Sequence, residues 1–366
     1  MIKAKRKGNK MEVKKIQYLN VIKSISIFLV VFCHVVLLKS NGVIDNICML
    51  ICWIAVPCFF LVNGAILLNK ELKLKKHYKK VFFIYLINVI WRLIYLIIYI
   101  TCLNFKICDV GKIDVLKYLL FFGNLLPINT NHFYFIEAML AIYTVFPIIH
   151  MCFNNKENGK RYLLIMLVFI FAFTYIISAM DFCGKFIIEN KKILFDSIKN
   201  AYIFGTYGKF LIYFILGGFL HLYRDKLHKV KKINILCIIT IIVSIAMLVL
   251  EKYIMNGIFE WKGIYLQNGY DKIATFSMTI ATFILLQNVK INNKFITKIF
   301  DEVGTSTLGI FYMHVPLLVI CNKYLYSYIT CRGVIINIIK TICIIIICYI
   351  ISKILKKVPM IRKLVT

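Results

Sequence analysis

Apolar stretches of about 20 residues, separated by short blocks rich in Lys and Arg, recur along the whole chain. When helical, a stretch of that length spans the roughly 30 Å hydrocarbon core of a lipid bilayer. Of the 366 residues, 61% are hydrophobic and 17% are charged, whereas a soluble domain has about 45–50% apolar and about 25% charged residues. The pattern excludes a soluble enzyme and predicts an all-α, polytopic helical bundle in a membrane.

The distribution of charge predicts the topology of this bundle. With the amino terminus inside, the segments that face the cytoplasm carry 29 Lys and Arg, and the outer segments carry 12. This asymmetry follows the positive-inside rule and places both termini in the cytoplasm. It also accounts for the net charge of +30, so no nucleic-acid partner is expected. About ten transmembrane helices are predicted, at residues 21–39, 45–68, 81–103, 132–153, 162–180, 207–223, 233–250, 271–289, 304–321 and 333–352.

The domain organisation follows from the same pattern. A basic cytoplasmic segment at residues 1–17 precedes a membrane domain at residues 18–355 and a basic cytoplasmic tail at residues 356–366. The longest outer segments, 104–131 and 181–206, are too short for an independent catalytic module, so any chemistry is expected from the spans and their loops. The thirteen cysteines are odd in number and most lie in apolar runs, so neither a disulfide framework nor a metal site is expected.

The first predicted span carries two ionisable side chains, Lys23 and His34. Eleven residues of helix bring them to nearly the same face, about 16 Å apart along the axis. A titratable group inside the membrane is functional by default, because its burial in hydrocarbon costs free energy. The alternative is structural: Lys23 extends to the interface, and His34 forms a hydrogen bond to a neighbouring helix.

Four segments, in order along the chain, resemble motifs of the acyltransferase-3 family of integral membrane acyltransferases. The first contains a basic residue, ten residues and then His; the others resemble Phe-Phe-x-x-Ser-Gly, His-Leu-Trp-Phe-Leu and Tyr-x-x-His-x-Pro. They lie at residues 18–36, 59–68, 132–147 and 311–318. The chain departs from the family where Lys23 replaces Arg, Asn63 replaces Ser and Tyr134 replaces Trp. No SGNH-type esterase domain is expected after the spans, which resembles the stand-alone O-acetyltransferase members.

The resemblance implies transfer of an acyl group, most often acetyl from acetyl-CoA, to a hydroxyl group. The acceptor would be a cell-envelope carbohydrate or a lipid-linked sugar on the outer face of the cell membrane. Acetyl-CoA or another acyl-CoA is then a substrate, and no permanently bound cofactor is expected. The lipid bilayer is the other expected partner. The sequence does not distinguish acetyl from succinyl or a longer acyl group, and it does not predict the acceptor or the oligomeric state.

Three residues are assigned to the catalytic set. His34 is the predicted general base, since an imidazole can take a proton from a hydroxyl at neutral pH; an acyl-His intermediate is a variant of the same role. Asn63 is a candidate oxyanion donor, with an interhelical hydrogen bond as the alternative. Glu137 either orients His34 or pairs with Arg92, which lies midway along the third span and needs a partner there. The structural pair is the preferred interpretation.

Two further sets of residues are predicted to bind the substrates. Basic side chains attract the phosphates of acyl-CoA as point charges, and the candidates are Lys23, Lys76, Lys79, Lys80 and Arg92. For the loop lysines the alternative is a topology signal. The candidates for contact with the acceptor are His132, Tyr134 and His314, and an interfacial position is the alternative for His132.

Two other functions remain open on the sequence. A transporter or exporter of envelope polysaccharide precursors would have a similar composition, and it would contain helices broken at the midplane and an inverted repeat. No convincing internal repeat is present. A non-catalytic membrane partner of a polysaccharide synthase would keep its function without His34.

Overall fold

The computed structural model describes residues 17–38, 43–107, 110–120, 126–155, 158–180, 207–259, 269–325, 333–359 and 361–365. Within these ranges the regular secondary structure is entirely helical, which confirms the predicted all-α class. The helices are α1 (Gln17–Leu38), α2 (Val43–Cys52), α3 (Ala55–Leu67), α4 (Leu74–Leu103), α5 (Lys112–Leu120), α6 (Tyr134–Asn154), α7 (Gly159–Phe171), α8 (Gly208–Leu222), α9 (Arg224–Leu227), α10 (Ile233–Phe259), α11 (Ile273–Gln287), α12 (Lys294–Gly304), α13 (Thr307–Tyr324) and α14 (Val334–Leu355).

Most of the predicted spans correspond to helical stretches long and apolar enough to cross a membrane. Seven such stretches are present in the described residues, and α12 with α13, bent by 71°, makes an eighth if the pair is one span. The other two predicted spans correspond to α8 and α11, which have 15 residues each. At 1.5 Å per residue each is about 22 Å long, shorter than the hydrocarbon core. The chain is a multi-pass membrane protein, and the count of ten spans stays a prediction.

The centre of the bundle is the contact between α3 and α8. A Cβ atom added at Gly64 would overlap the backbone carbonyl of Phe214, and one added at Gly217 would overlap that of Leu61. Small residues let membrane helices approach to backbone contact, where dispersion and close packing replace the hydrophobic driving force of water. Gly64 is thus required by packing, and it holds the neighbouring Asn63 at a fixed position in the interior.

The periphery of the bundle is formed by α7, α10 and α14. One side of each helix exposes large aliphatic or aromatic side chains, as expected of surfaces that face lipid rather than water. Examples are Leu164, Val168, Ile239, Ile242, Ile339 and Ile346.

Two segments predicted as cytoplasmic loops contain helix instead. The third span begins at Leu74 rather than at residue 81, because lysines are good helix formers and His77 Nε2 donates to the carbonyl oxygen of Tyr143 at 2.7 Å. Helix α12 lies within the predicted loop 290–303. Its first turn is capped by Asn293, whose side-chain oxygen accepts from the backbone N–H groups of Phe295 and Ile296.

Candidate active site

A cavity of about 350 Å³ lies between α1, α3, α4, α6 and α13. One end is basic: Lys23 and Lys80 line it together with Lys363, which follows α14. Along α6 the lining runs from Tyr143 to Phe135, eight residues or about 12 Å of helix rise. The remaining wall is mostly apolar and aromatic, and consists of Phe59, Val62, Asn63, Phe83, Ile84, Ile87, Met139, Thr307, Leu308, Phe311 and Tyr312.

Three histidines from three helical segments meet beyond the inner end of this cavity. The ring centroids of His34 and His314 are 5.0 Å apart, those of His132 and His314 are 5.2 Å apart, and those of His34 and His132 are 5.7 Å apart. His314 is fully buried and His132 is 4% exposed, whereas His34 is half-buried. Within the described residues these side chains are not arranged to share a metal ion.

Hydrogen bonds, one to the backbone and one to the Tyr95 hydroxyl, fix the tautomer of two of these imidazoles. His314 Nδ1 lies 2.6 Å from the carbonyl oxygen of Phe311, and because a carbonyl only accepts, Nδ1 carries the proton and Nε2 does not. The Tyr95 hydroxyl donates to the carbonyl of Tyr312 at 2.7 Å, so it accepts from His132 Nε2 at 3.0 Å. His132 Nδ1 is therefore the unprotonated nitrogen.

The two unprotonated nitrogens, His314 Nε2 and His132 Nδ1, have no hydrogen-bond partner among the described residues. Each is a buried lone pair on a ring that packs against the ring of His34. A buried acceptor that lacks a partner costs free energy, and such groups are expected where a substrate or a proton is received.

Phe311 lies between the cavity and the histidines. Its side chain lines the cavity, and its ring centroid is 5.3 Å from that of His132 and 6.0 Å from that of His314. Phe135, which also lines the cavity, packs against Phe311 at 5.3 Å. The cavity lining does not include His34, His132 or His314; the rings of Phe311 and Phe135, which lie at this boundary, are called the aromatic partition below.

Lys23 and His34 both face the interior of the bundle from α1. Lys23 belongs to the cavity wall, and His34 contacts the two other histidines. The 11-residue spacing thus connects the two parts of the site along one helix. This placement is the arrangement that the sequence predicted, while the chemical roles of both side chains stay predictions.

Asn63 lies in the cavity wall rather than beside the histidines. Its amide nitrogen donates to the carbonyl oxygen of Phe59 at 2.9 Å and lies 3.4 Å from Met139 Sδ, and its oxygen accepts from the Tyr143 hydroxyl at 3.1 Å. Both amide hydrogens are therefore engaged. An oxyanion role for Asn63 would require these bonds to be exchanged.

Arg92 and Glu137 form an ion pair away from the cavity. Arg92 is fully buried, and its Nη2 lies 2.8 Å from Glu137 Oε1; the Tyr207 hydroxyl donates to Glu137 Oε2 at 2.9 Å. The guanidinium also donates to the carbonyl of Tyr118 at 3.0 Å and lies 5.4 Å from the ring centroid of Phe133. The pair joins α4 to the first turn of α6, which begins directly after His132 and Phe133.

The other predicted site residues lie farther from the cavity. Lys76 and Lys79 are exposed on the first turns of α4, and only Lys80 of this group lines the cavity. The Tyr134 hydroxyl donates to that of Tyr270 at 2.7 Å, and the Tyr134 ring stacks on Phe210. Tyr134 thus belongs to an aromatic cluster with Tyr270 and Phe210.

Three residues of the site were not predicted. Phe311 belongs to the motif segment at residues 311–318 but had no predicted role, and Tyr143 belongs to the motif segment at residues 132–147. Lys363 carried no signal, because a basic residue near the end of a basic tail is the ordinary pattern of a juxtamembrane segment.

The apolar helices and the polar interior define this chain as a membrane protein with a buried site, and comparison with known families identifies its class as a membrane acyltransferase. A family model described as an acyltransferase domain matches residues 16–356, nearly the whole chain. The chain belongs to this acyltransferase-3 family. A search of curated proteins found no match to it, and neither did a search of solved structures.

Proposed function

We propose that this protein transfers an acyl group, most simply acetyl, from cytosolic acyl-CoA to a hydroxyl of a cell-envelope carbohydrate or lipid-linked sugar. The observation that carries the proposal is the order of environments that follow one another in the direction of α1. A basic cavity lies at Lys23, the aromatic partition at Phe311 comes next, and three histidines lie around His34. A donor with phosphates at one end and a thioester at the other matches this order of environments.

The basic end of the cavity receives the phosphates. Lysine ammonium groups attract phosphate as point charges. The excess of Lys and Arg in the predicted cytoplasmic segments supports a cytosolic location for this end, in line with the positive-inside rule. Lys76 and Lys79, exposed on α4, add to the attraction at longer range. The slim pantetheine arm then occupies the apolar part of the cavity and brings the thioester to Phe311.

The reaction at the histidines is a nucleophilic acyl substitution. The acceptor oxygen forms a bond to the thioester carbonyl carbon while its proton moves to His34, the general base. The tetrahedral intermediate collapses, the C–S bond breaks, and the imidazolium returns the proton to the thiolate of coenzyme A. The products are the ester and free coenzyme A, and the histidine ends neutral.

The two other histidines support this proton transfer. Once His34 holds the proton, its N–H can donate to the unprotonated nitrogen of His314 or His132, which stabilises the imidazolium in a site of low dielectric. The same nitrogens can accept from the acceptor hydroxyl before the reaction, in agreement with the acceptor contacts predicted for both residues. The Arg92–Glu137 pair acts at a distance, by holding α4 against α6 near His132.

The test compares ester groups on envelope glycans from four strains: wild type, a deletion strain, and deletion strains that express His34→Ala or His150→Ala. Mass spectrometry of the glycans is expected to show one ester lost in the deletion and His34→Ala strains and retained with His150→Ala. His150 is the matched control because it lies on α6 outside the cavity lining, where its Nε2 donates to the Lys70 carbonyl and its ring packs against Phe146.

Expression and membrane insertion of each variant are measured in the same cells. An unchanged ester pattern with inserted His34→Ala protein would contradict the catalytic role and would support a non-catalytic partner in a synthase complex. Accumulation of an unmodified precursor inside the deletion strain, with esters unchanged, would support the transporter alternative.

A further inference from the structure

The segment 361–365, which belongs to the predicted cytoplasmic tail, is packed against the bundle. Residues Arg362–Leu364 form a 3₁₀ turn, and Trp91 Nε1 donates to the carbonyl oxygen of Leu364 at 3.0 Å. Val365 is fully buried. Its Cβ would be 3.1 Å from a Cβ added at Gly309, so Val365 lies directly against α13. The segment is therefore held by α4 on one side and α13 on the other.

This docking directs Lys363 to the cavity. Lys363 is exposed to solvent yet lines the cavity together with Lys23 and Lys80. Its ammonium group lies 4.9 Å from the ring centroid of Phe83, which also lines the cavity. Trp91, which holds the segment, stacks on Tyr312 of the cavity wall with ring centroids 5.1 Å apart.

Among the described residues, the three ammonium groups have no acidic side chain within ion-pair distance. The cavity lining contains no Asp or Glu. Three lysines from distant parts of the chain that share one opening, with no acidic partner, form a site for an anion of several charges.

We propose that segment 361–365 is part of the donor site, and that Lys363 supplies the third ammonium group that binds the phosphates of acyl-CoA. This inference rests on the proposed function and names a residue of its donor subsite. The volume supports it: about 350 Å³ is at the lower end of the range of about 300–1,000 Å³ for ligand pockets. The cavity holds a slim arm, so the nucleotide phosphates stay at the opening, where Lys363 is exposed.

Binding is measured on the full-length chain in phosphatidylcholine nanodiscs by titration calorimetry, with coenzyme A and pantetheine as probes. Lys363→Ala is expected to weaken coenzyme A binding about 5-fold to 10-fold, the loss of one charge-assisted contact, and to leave pantetheine binding unchanged. Lys363→Arg is expected to restore the affinity, since the charge is kept. Lys357→Ala is the matched control, because Lys357 is exposed six residues earlier and is absent from the cavity lining.

A second variant tests the docking itself. Val365→Asp places a charge at a fully buried position, and it is expected to reduce coenzyme A binding to the level of Lys363→Ala if the segment undocks. Equal coenzyme A affinities for Lys363→Ala and Lys357→Ala would overturn the proposal. No binding of coenzyme A by the wild type would overturn the proposed function itself, which is a separate outcome.

An anionic lipid headgroup offers the same phosphate chemistry as the donor. The titrations are therefore repeated in nanodiscs that contain phosphatidylglycerol. If Lys363→Ala already loses coenzyme A affinity in discs made only of phosphatidylcholine, the result supports the donor assignment. A loss confined to the anionic discs would show that the lysine acts on lipid and would overturn it.

Discussion

The imidazole of His314 donates its Nδ1–H to the carbonyl oxygen of Phe311, one turn earlier on α13, at 2.6 Å. This bond leaves Nε2 without a proton, in a ring whose centroid is 5.0 Å from that of His34. The same turn of helix thus supplies both the aromatic partition at the end of the cavity and a base of fixed tautomer behind it.

His314→Asn is expected to lower acyl transfer about 100-fold or more, as for loss of a group that handles the proton. The asparagine amide keeps a donor near the position of Nδ1, so the helix is preserved while the basic nitrogen is lost. Single-turnover transfer and coenzyme A affinity are measured together, and the affinity is expected to stay unchanged. A rate within about 3-fold of the wild type would contradict the role of Nε2 in the reaction.

Phe311→Leu is expected to open the partition between the cavity and the histidines. Water then reaches the thioester, and hydrolysis of acyl-CoA without acceptor is expected to rise several-fold. Free coenzyme A is quantified by liquid chromatography and mass spectrometry, because the thirteen cysteines of the chain would react with thiol reagents. Phe283→Leu is the control: Phe283 is fully buried against Tyr18 and is absent from the cavity lining. Equal hydrolysis by the two variants would contradict a barrier at Phe311.

The buried ion pair of Arg92 and Glu137 is expected to matter for stability rather than for donor binding. Arg92→Met leaves the Glu137 carboxylate without its main partner and is expected to lower the free energy of unfolding by about 3–5 kcal/mol. The double variant Arg92→Met/Glu137→Leu removes both charges and is expected to unfold at a higher temperature than Arg92→Met. Thermal unfolding in detergent measures both.

The exposed pair of Lys117 and Asp114, 3.9 Å apart with side chains about half exposed, gives the control for this experiment. Lys117→Met is expected to change stability by less than about 1 kcal/mol, because surface ion pairs contribute little. If Arg92→Met is as mild as Lys117→Met, the pair does not brace α4 against α6. A selective loss of coenzyme A affinity in Arg92→Met would instead favour the donor role predicted for Arg92 from the sequence.

Gly64→Ala is expected to destabilise the bundle by separating α3 from α8. The added methyl group would overlap the Phe214 carbonyl, and backbone cannot move aside as a flexible side chain can. The expected loss in the free energy of unfolding is at the upper end of the range of about 1–3 kcal/mol for overpacking. It is measured as a lower unfolding temperature and a lower yield of folded protein. Gly111→Ala, where the nearest atom is a side-chain oxygen of Asp114 at 3.2 Å, is expected to be nearly neutral.

The sequence predicted much of the site because its strongest signals are local. The spacing of Lys23 and His34 is a property of one helix, so elementary helix geometry sufficed to place both on the interior side. The motif segments around Asn63, His132 and His314 also reach the interior. The all-helical membrane class follows from composition alone, since lipid allows few other solutions for the backbone.

The remaining features depend on contacts between distant segments, which periodicity does not report. The docking of Leu364 on Trp91 joins residues that are 273 positions apart, and nothing in either local sequence marks the other. Glu137 could be inferred as the partner of Arg92 because a buried guanidinium requires one. The position of this pair outside the cavity could not be inferred. Likewise, the depth of Asn63 relative to the histidines depends on how α3 packs against α6, and a single sequence carries no measure of that packing.

The aromatic partition at Phe311 has a consequence for the cell as well as for the reaction. An enzyme with a continuous water-filled channel from its donor site to the other side of the membrane would let ions leak across and dissipate their gradients. The phenyl ring of Phe311, packed against Phe135, is enough to interrupt a continuous chain of water molecules at that depth. Under the proposed function, outward transfer of an acyl group then consumes only the thioester and preserves the ion gradients across the membrane.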